Sequence, residues 1–411
     1  MNPIKKIISF TLSLILIVSF ISFNVGALFD KENAAEKFYS YETKLLCISH
    51  RGDTALYPEN SLEGIKSALK KGADFVSVNI EKTADGVFYL CEDESLGNIC
   101  NAPYDSLSQM NSDEVDKYRL FDIFGKETKY KLVSLESLLD RTDSQDGIIL
   151  DVKAADKDAV YGILKENKSL DRIILRVVES GSKLTEWAES KPEKVYVICK
   201  YTGNIIFSTV SYINALTSAE MPAVQFESKN YFNVSFGEFF TKRYLKSENV
   251  RAIAATYSPE LCGQREDSAD GWNELINKNY SVIETNNIDS FISYRNETER
   301  LSDDLRELYD GTSLMERDRY SQVSLTNLDK ATALCEEVIS DDVVSLAELQ
   351  NAYSKLDFAL KEMKISTGEV DTRGALNITA GKVIAAVLVG AALLAGQIYV
   401  YKMRRSKKEN K

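Results

Sequence analysis

His50 is the only histidine in 411 residues. It stands with Arg51 and Gly52 one residue beyond an apolar run, Leu45 to Ile48, and Pro58-Glu59-Asn60 follows in a polar loop. One imidazole at a strand end can do acid–base work, but chemistry that needs a second imidazole opposite the first has no candidate here. The six cysteines (Cys47, Cys91, Cys100, Cys199, Cys262, Cys335) form no CxxC pair and have no histidine nearby, so a zinc site is not supported. Cys47, Cys91 and Cys199 lie in strand-like runs and read as small buried hydrophobes. A Cys91–Cys100 bridge stays open for an exported chain.

The elements around His50 are readable from periodicity. Leu62, Ile65, Ala68 and Leu69 share one face of a helix. Gly72 ends it, Phe75 to Ile80 reads as a second strand, and Asp85-Gly86 turns into a third. Strand, helix and strand at this spacing make a βαβ unit, so a parallel sheet is expected. On the second strand Ser77 and Asn79 are two apart and therefore share a face.

Residues 47–97 resemble the glycerophosphodiester phosphodiesterase family. His50-Arg51-Gly52, Pro58-Glu59-Asn60, Gly72-Ala73-Asp74, Thr83-Ala84-Asp85-Gly86 and Asp93 through Leu96 carry the resemblance, which continues at Gly271-Trp272, Leu275-Ile276 and Val282 to Asn286. The resemblance implies a TIM (β/α)8 barrel. Further strands are expected at Ile148–Lys153, Ile173–Val178, Val195–Cys199, Ala223–Phe226, Arg251–Ala255 and Ser281–Glu284, enough for eight. It also implies hydrolysis of a phosphodiester: a calcium or magnesium ion neutralises the phosphoryl oxygens, and a second histidine protonates the leaving alkoxide.

Against that pattern the chain departs at the chemistry. The expected Glu-x-Asp pair of the second strand is Ser77 and Asn79, in degenerate ligand positions, and the second histidine is Glu92. The later strand keeps Asp151 and Lys153. What is implied to remain is catalytic His50, with Glu92 in place of its partner, and a phosphate grip of His50, Arg51 and Lys153, supported by Glu59 and Asn60. A metal would rest on Asp151, with Glu81 a substitute if its strand continues inward. A divalent cation is expected to be weakly held or absent. Three functional readings follow: a barrel with impaired hydrolysis that binds a glycerophosphodiester or polyol phosphate or acts as a scaffold; an active phosphodiesterase with a rebuilt site; and a surface interaction protein.

The third reading rests on residues 297–364, where leucines recur at helical spacing in three segments. Ser345 and Glu348 form a capping box before the last of them. A three-helix bundle is expected, resembling the FIVAR-type module through Tyr320, Leu325, Leu328, the Ala331-to-Val338 helix and Ala352 to Leu360, with a surface protein or glycan as its possible partner. The full division is a signal peptide (1–27), a linker (28–44), the barrel (45–296), the helical module (297–364), a linker (365–382), one transmembrane helix (383–401) and a basic cytoplasmic tail (402–411).

Net charge is −12 although both ends are basic: Lys5 and Lys6 at one, and six Lys/Arg against one Glu from Lys402 onward at the other. The acidic stretch between them excludes non-specific nucleic-acid binding. A single-pass membrane protein with an extracellular body is expected.

Overall fold

The computed structural model describes residues 33–40, 45–92, 96–103, 106–203, 206–218, 223–246 and 250–364. The expected signal peptide, transmembrane helix and basic tail lie outside them. Among the described residues no helix is long and apolar enough to cross a membrane.

Among the described residues nine strands form in order: β1 (Leu46–His50), β2 (Phe75–Lys82), β3 (Phe88–Leu90), β4 (Gly147–Val152), β5 (Ile173–Val177), β6 (Tyr196–Tyr201), β7 (Ala223–Phe226), β8 (Arg251–Ala255) and β9 (Val282–Thr285). Eight are parallel and run β1-β9-β8-β7-β6-β5-β4-β2, and β2 pairs back onto β1 to close the barrel. The third strand expected from Asp85-Gly86 is β3. It folds back antiparallel on β2, with Ile80 opposite Leu90, and stays out of the barrel.

Alternation along the strands separates two apolar layers. Residues such as Val76, Val78, Leu150, Val197 and Ile283 face the surrounding helices. Leu46, Ile48, Phe75, Ile149, Ile174, Tyr196, Ile198, Ile253 and Val282 fill the barrel interior. The interior is closed from below by α1 (Ala34–Tyr39), whose Ala34, Ala35 and Phe38 join that inner core. Phe38 packs edge-on against Phe75 at 5.2 Å, and its carbonyl accepts from Nε of Arg251 at 3.0 Å. The segment 28–44 was expected as a linker; an Asn33 cap and two apolar residues three apart on so short a helix leave little periodic signal.

The first βα unit shows how tightly the strand end of His50 is held. In α2 (Leu62–Lys70) Ser61 caps the N-terminus by accepting from the Gly64 amide, and Leu62, Ile65 and Ala68 are buried. Gly52 has φ +89°, and a Cβ there would lie 2.8 Å from the carbonyl carbon of Gly64. Only glycine permits both that conformation and that approach.

At the other end, α3 (Ala269–Ile276) precedes β9 and α4 (Ile288–Thr312) follows it. Phe291 and Tyr294 of α4 are buried against Trp272 in the barrel layer. Leu301, Leu305 and Leu308 of the same helix belong to a second apolar seam with Leu328, Cys335, Leu349 and Leu356. The last four come from α5 (Gln322–Ser340) and α6 (Leu346–Lys361). The boundary expected at 296–297 therefore falls inside one continuous helix of 25 residues. The capping box at Ser345 and Glu348 is present. The N-terminus of α6 is also fixed to the barrel layer: the Leu346 amide donates to Tyr294 Oη at 3.0 Å, and the Ala347 amide donates to Asn273 Oδ1 at 3.1 Å.

Candidate functional site

In a parallel barrel the strands deliver their C-terminal residues to one mouth. Here the inward positions change from apolar to polar at that level: His50 on β1, Ser77 and Asn79 on β2, Asp151 on β4, Arg176 on β5, Gln225 on β7 and Glu284 on β9. Register brings neighbours together, with Asn79 beside Asp151 and Asp151 beside Arg176.

The centre of this layer is the guanidinium of Arg176. Its Nε donates to Asp151 Oδ1 at 2.9 Å and its Nη2 to Asp151 Oδ2 at 2.5 Å. The same Nη2 reaches Glu284 Oε1 at 3.0 Å, while Nη1 donates to Glu284 Oε2 at 2.6 Å and Gln225 Oε1 at 2.5 Å. The Arg176 and Glu284 side chains are wholly buried. Burial alone would push both carboxyls up. Arg176 outweighs it, aided by Lys200 at Asp151 and by His50 at Glu284, so Asp151 lies below the usual carboxylate range and Glu284 well below it.

His50 presents Nδ1 to Glu284 Oε1 at 3.1 Å, and Ser77 donates its hydroxyl to the same oxygen at 2.5 Å. The Tyr257 ring stacks on the imidazole with centroids 3.4 Å apart. Burial lowers the His50 pKa more than Glu284 raises it, so the ring is held neutral, with Nδ1–H as the donor. Lys200 reaches Asp151 Oδ1 at 2.9 Å and Glu227 at 3.7 Å.

Toward solvent, Arg51 takes the left-handed φ of 59° at the strand end, and its amide is fixed by the Ser77 carbonyl at 2.9 Å. Its Nη1 pairs with Glu59 at 2.9 Å and its Nη2 with Glu92. Arg51, Glu59 and Glu92 line one side of a cleft of about 390 Å³, faced by Ile99, Phe121, Asp122 and Ile123. Those facing residues belong to an insertion after β3 with a small core of its own, including Cys91, Cys100, Met110 and Leu120. Cys91 and Cys100 are both buried, and neither is in a disulfide. Asn60 is buried in the left-handed region, and its side-chain atoms find no partner among the described residues.

The structure thus joins His50, Ser77 and Asp151 in one network, through Glu284 and Arg176. Asn79 lies at its edge, with a buried Oδ1 that has no partner among the described residues. Glu92 stands apart on Arg51. Glu81 and Lys153 pair with each other at 2.7 Å.

The donor set does not suit a divalent cation as it stands. Both oxygens of Asp151 and both of Glu284 are occupied by cationic or hydroxyl donors. Among the described residues no three His, Cys, Asp or Glu side chains are gathered as a metal would need.

Four residues of this site, Arg176, Glu284, Gln225 and Lys200, were missed in the sequence reading. Each is a polar residue in an otherwise apolar strand, as in Ile173-Ile174-Leu175-Arg176-Val177, which is the available signal for an inward position near a barrel mouth.

An eight-stranded parallel barrel with a polar layer at the carboxyl ends of its strands has the build of a TIM barrel. Residues 50–207 match the Glycerophosphoryl diester phosphodiesterase family. Glycerophosphodiester phosphodiesterase 1 of Rattus norvegicus is 30% identical over 124 residues, covering 25% of this chain and 38% of that protein. The chain thus spans well under two thirds of that relative. Glycerophosphodiester phosphodiesterase of Bacillus subtilis is 23% identical over 226 residues, 51% of this chain and 73% of that one. A solved glycerophosphoryl diester phosphodiesterase from Parabacteroides distasonis superposes with a TM-score of 0.50 at 18% identity, covering 63% of this chain and 90% of the other, which is a likeness of fold.

Proposed function

We propose that this chain is a membrane-tethered extracellular barrel of the glycerophosphodiester phosphodiesterase type in which hydrolysis is impaired, and that its mouth binds a polyol phosphate or serves as a scaffold. The observation that carries the reading is the Arg176 guanidinium clasping Asp151 and Glu284, beside a second strand that offers only Ser77 and Asn79. A phosphodiesterase needs an electrophile on the phosphoryl oxygens and an acid for the leaving group. Here Asp151 and Glu284 are already neutralised, and Glu92, at the expected acid position, is paired to Arg51. Loss of a general acid alone typically costs about 10²- to 10⁴-fold in rate. Any calcium or magnesium is then weakly held or absent.

The cleft beside Arg51 is where a polyol phosphate would lie, with Arg51 as its cation. The tether rests on sequence: the signal-like residues 1–27, the apolar run Val383 to Tyr401 and the basic residues after it. A FIVAR-like role for the helices of 297–364 is supported by a groove between α5 and α6, lined by Ala331, Leu334 and a largely exposed Phe358, which a surface protein or glycan could use.

The test is turnover of glycerophosphocholine by the purified full chain, with calcium or magnesium and then with chelator. The expected result is none above background. Robust metal-dependent turnover, lost in Glu92→Gln and Asp151→Asn, would establish the second reading, a rebuilt active site. Glu92 favours that reading in one respect, since its side chain is 41% exposed in the cleft.

A further inference from the structure

Two carboxylates from strands on different sides of the barrel, Asp151 of β4 and Glu284 of β9, converge on one point inside the mouth. Two anions at a buried point need compensating positive charge, because an isolated buried charge is prohibitively costly. In many proteins a multivalent ion supplies it. Here the point is filled by a side chain whose five N–H groups all have acceptors: two on Asp151, two on Glu284 and one on Gln225. Lys200 supplies the second positive charge from the solvent side of Asp151 at 2.9 Å. The neutral donors around the same point are oxygens: the Ser77 hydroxyl, 2.5 Å from Glu284, and the Asn79 carbonyl, which is buried and lacks a described partner. Ser77 points into the barrel, so Asn79, two residues on, lies on the same inner face.

We propose that Arg176 is a resident cation. It occupies the position and supplies the charge that a divalent ion would otherwise bring to Asp151 and Glu284, so the mouth of this chain takes up no divalent cation. Removing its charge uncovers a site for a hard cation, ligated by the carboxylates of Asp151 and Glu284 and the oxygens of Asn79 and Ser77.

The charge arithmetic fits. With Arg176 present, the carboxylates of Asp151, Glu284 and Glu227 are set against Arg176 and Lys200, a formal charge of −1, and the guanidinium fills the point between Asp151 and Glu284. Without Arg176 the same cluster carries a formal −2 and that point is open. An all-oxygen donor set with two carboxylates is the kind that calcium, magnesium and manganese prefer. The inference rests on the hydrolysis reading, which expects calcium or magnesium to be weakly held or absent, and deepens it by naming the group that takes the ion's place; its readout is cation uptake, so it can fail while that reading stands.

The experiment is Mn2+ titration of the full chain, followed by loss of the free-ion EPR signal, with thermal melts in calcium and in chelator. The wild-type chain is expected to bind no stoichiometric Mn2+ at micromolar concentrations and to melt at the same temperature with calcium or chelator. Arg176→Gln is expected to bind one ion per chain and to melt higher in calcium than in chelator. Adding Asp151→Asn should abolish both effects, and Arg176→Lys, which retains a charge, should bind at least tenfold more weakly than Arg176→Gln. If Arg176→Gln is unfolded in chelator, recovery of its native circular dichroism in calcium supports the proposal in the same way. Stoichiometric Mn2+ on the wild type that Asp151→Asn removes would overturn it. So would an Arg176→Gln chain that takes up no ion, whether it is folded or stays unfolded in calcium.

Discussion

Nδ1 of His50 lies 3.1 Å from Oε1 of Glu284, and neither side chain has appreciable contact with solvent. The pair joins the first and last barrel strands, which are neighbours in the sheet, so the closing seam of the barrel carries the only imidazole of the chain.

Acid should therefore unfold this protein in two stages. The folded His50 pKa is below its ordinary value of 6.5, because burial outweighs the help of Glu284. As pH falls below about 6.5, the unfolded chain takes up a proton that the folded chain refuses, and stability declines. Glu284 and Asp151 are held below their ordinary 4.5 and 3.8, so the stability they contribute is present above those values and is lost as pH falls toward their folded values. Melting temperature against pH should be flat above 7, slope down below about 6.5 and steepen below about 4.5. His50→Gln should remove the first slope and keep the second. A single imidazole also makes the NMR titration unambiguous, and a midpoint above 6.5 in the folded protein would contradict this account.

Neutralising one partner of the buried cluster should be severe. Glu284→Gln leaves Arg176 with half its anionic partners in a wholly buried position, and loss of one side of such a pair costs roughly 3–5 kcal/mol. Urea denaturation is the measurement. Arg176→Met combined with Glu284→Gln should cost less than the two single losses added together, because each removes the charge the other was balancing.

The junction between the barrel and the C-terminal helices offers a milder test. Tyr294→Phe removes the hydroxyl that accepts from the Leu346 amide and donates to Asn273 Oδ1 at 2.8 Å. The amide at the start of α6 then loses one acceptor, at a cost of about 1 kcal/mol. Hydrogen exchange at Leu346 should quicken more than exchange within β1 or β9. Equal acceleration everywhere would mean that the bond is not local to the junction.

All six cysteines are buried, and none is in a disulfide. Burial pushes the Cys199 thiol up to about 11 and Cys262 up to about 12. Ellman's reagent should react with almost none of them in the native chain at pH 8, and with all six in denaturant without a reductant. Four in denaturant would indicate a bridge.

How legible this site was depended on which neighbours each residue needed. His50, Arg51 and Glu59 sit within one βα unit, and their setting could be read from a strand, a glycine and a helix cap in succession. Period two put Ser77 and Asn79 on one shared face, and the family resemblance supplied which face that is. Arg176 and Glu284 meet across the barrel interior from positions 108 residues apart, and local pattern says nothing about such a meeting. The helix under the barrel, Ala34–Tyr39, was illegible for another reason: its burial is imposed by the barrel it closes. The two thirds of α4 beyond Tyr294 were recognised as helical, but not as a continuation of the helix that flanks β9, because the apolar stripe changes its partner partway along.

That continuous helix has a consequence for how such chains can vary. A loop between two units absorbs an inserted residue, whereas each residue added to an α-helix turns everything beyond it by about 100° and advances it by about 1.5 Å. Between Tyr294, seated in the barrel layer, and Leu301, seated in the second seam, there is no room for such a turn without unseating one end. Of the six residues between them, Arg295 is tied to Asp74 and Thr298 is buried, while the solvent-facing ones should accept substitution; length change should be accepted hardly at all, so the angle between the barrel and the helical seam is set by a residue count.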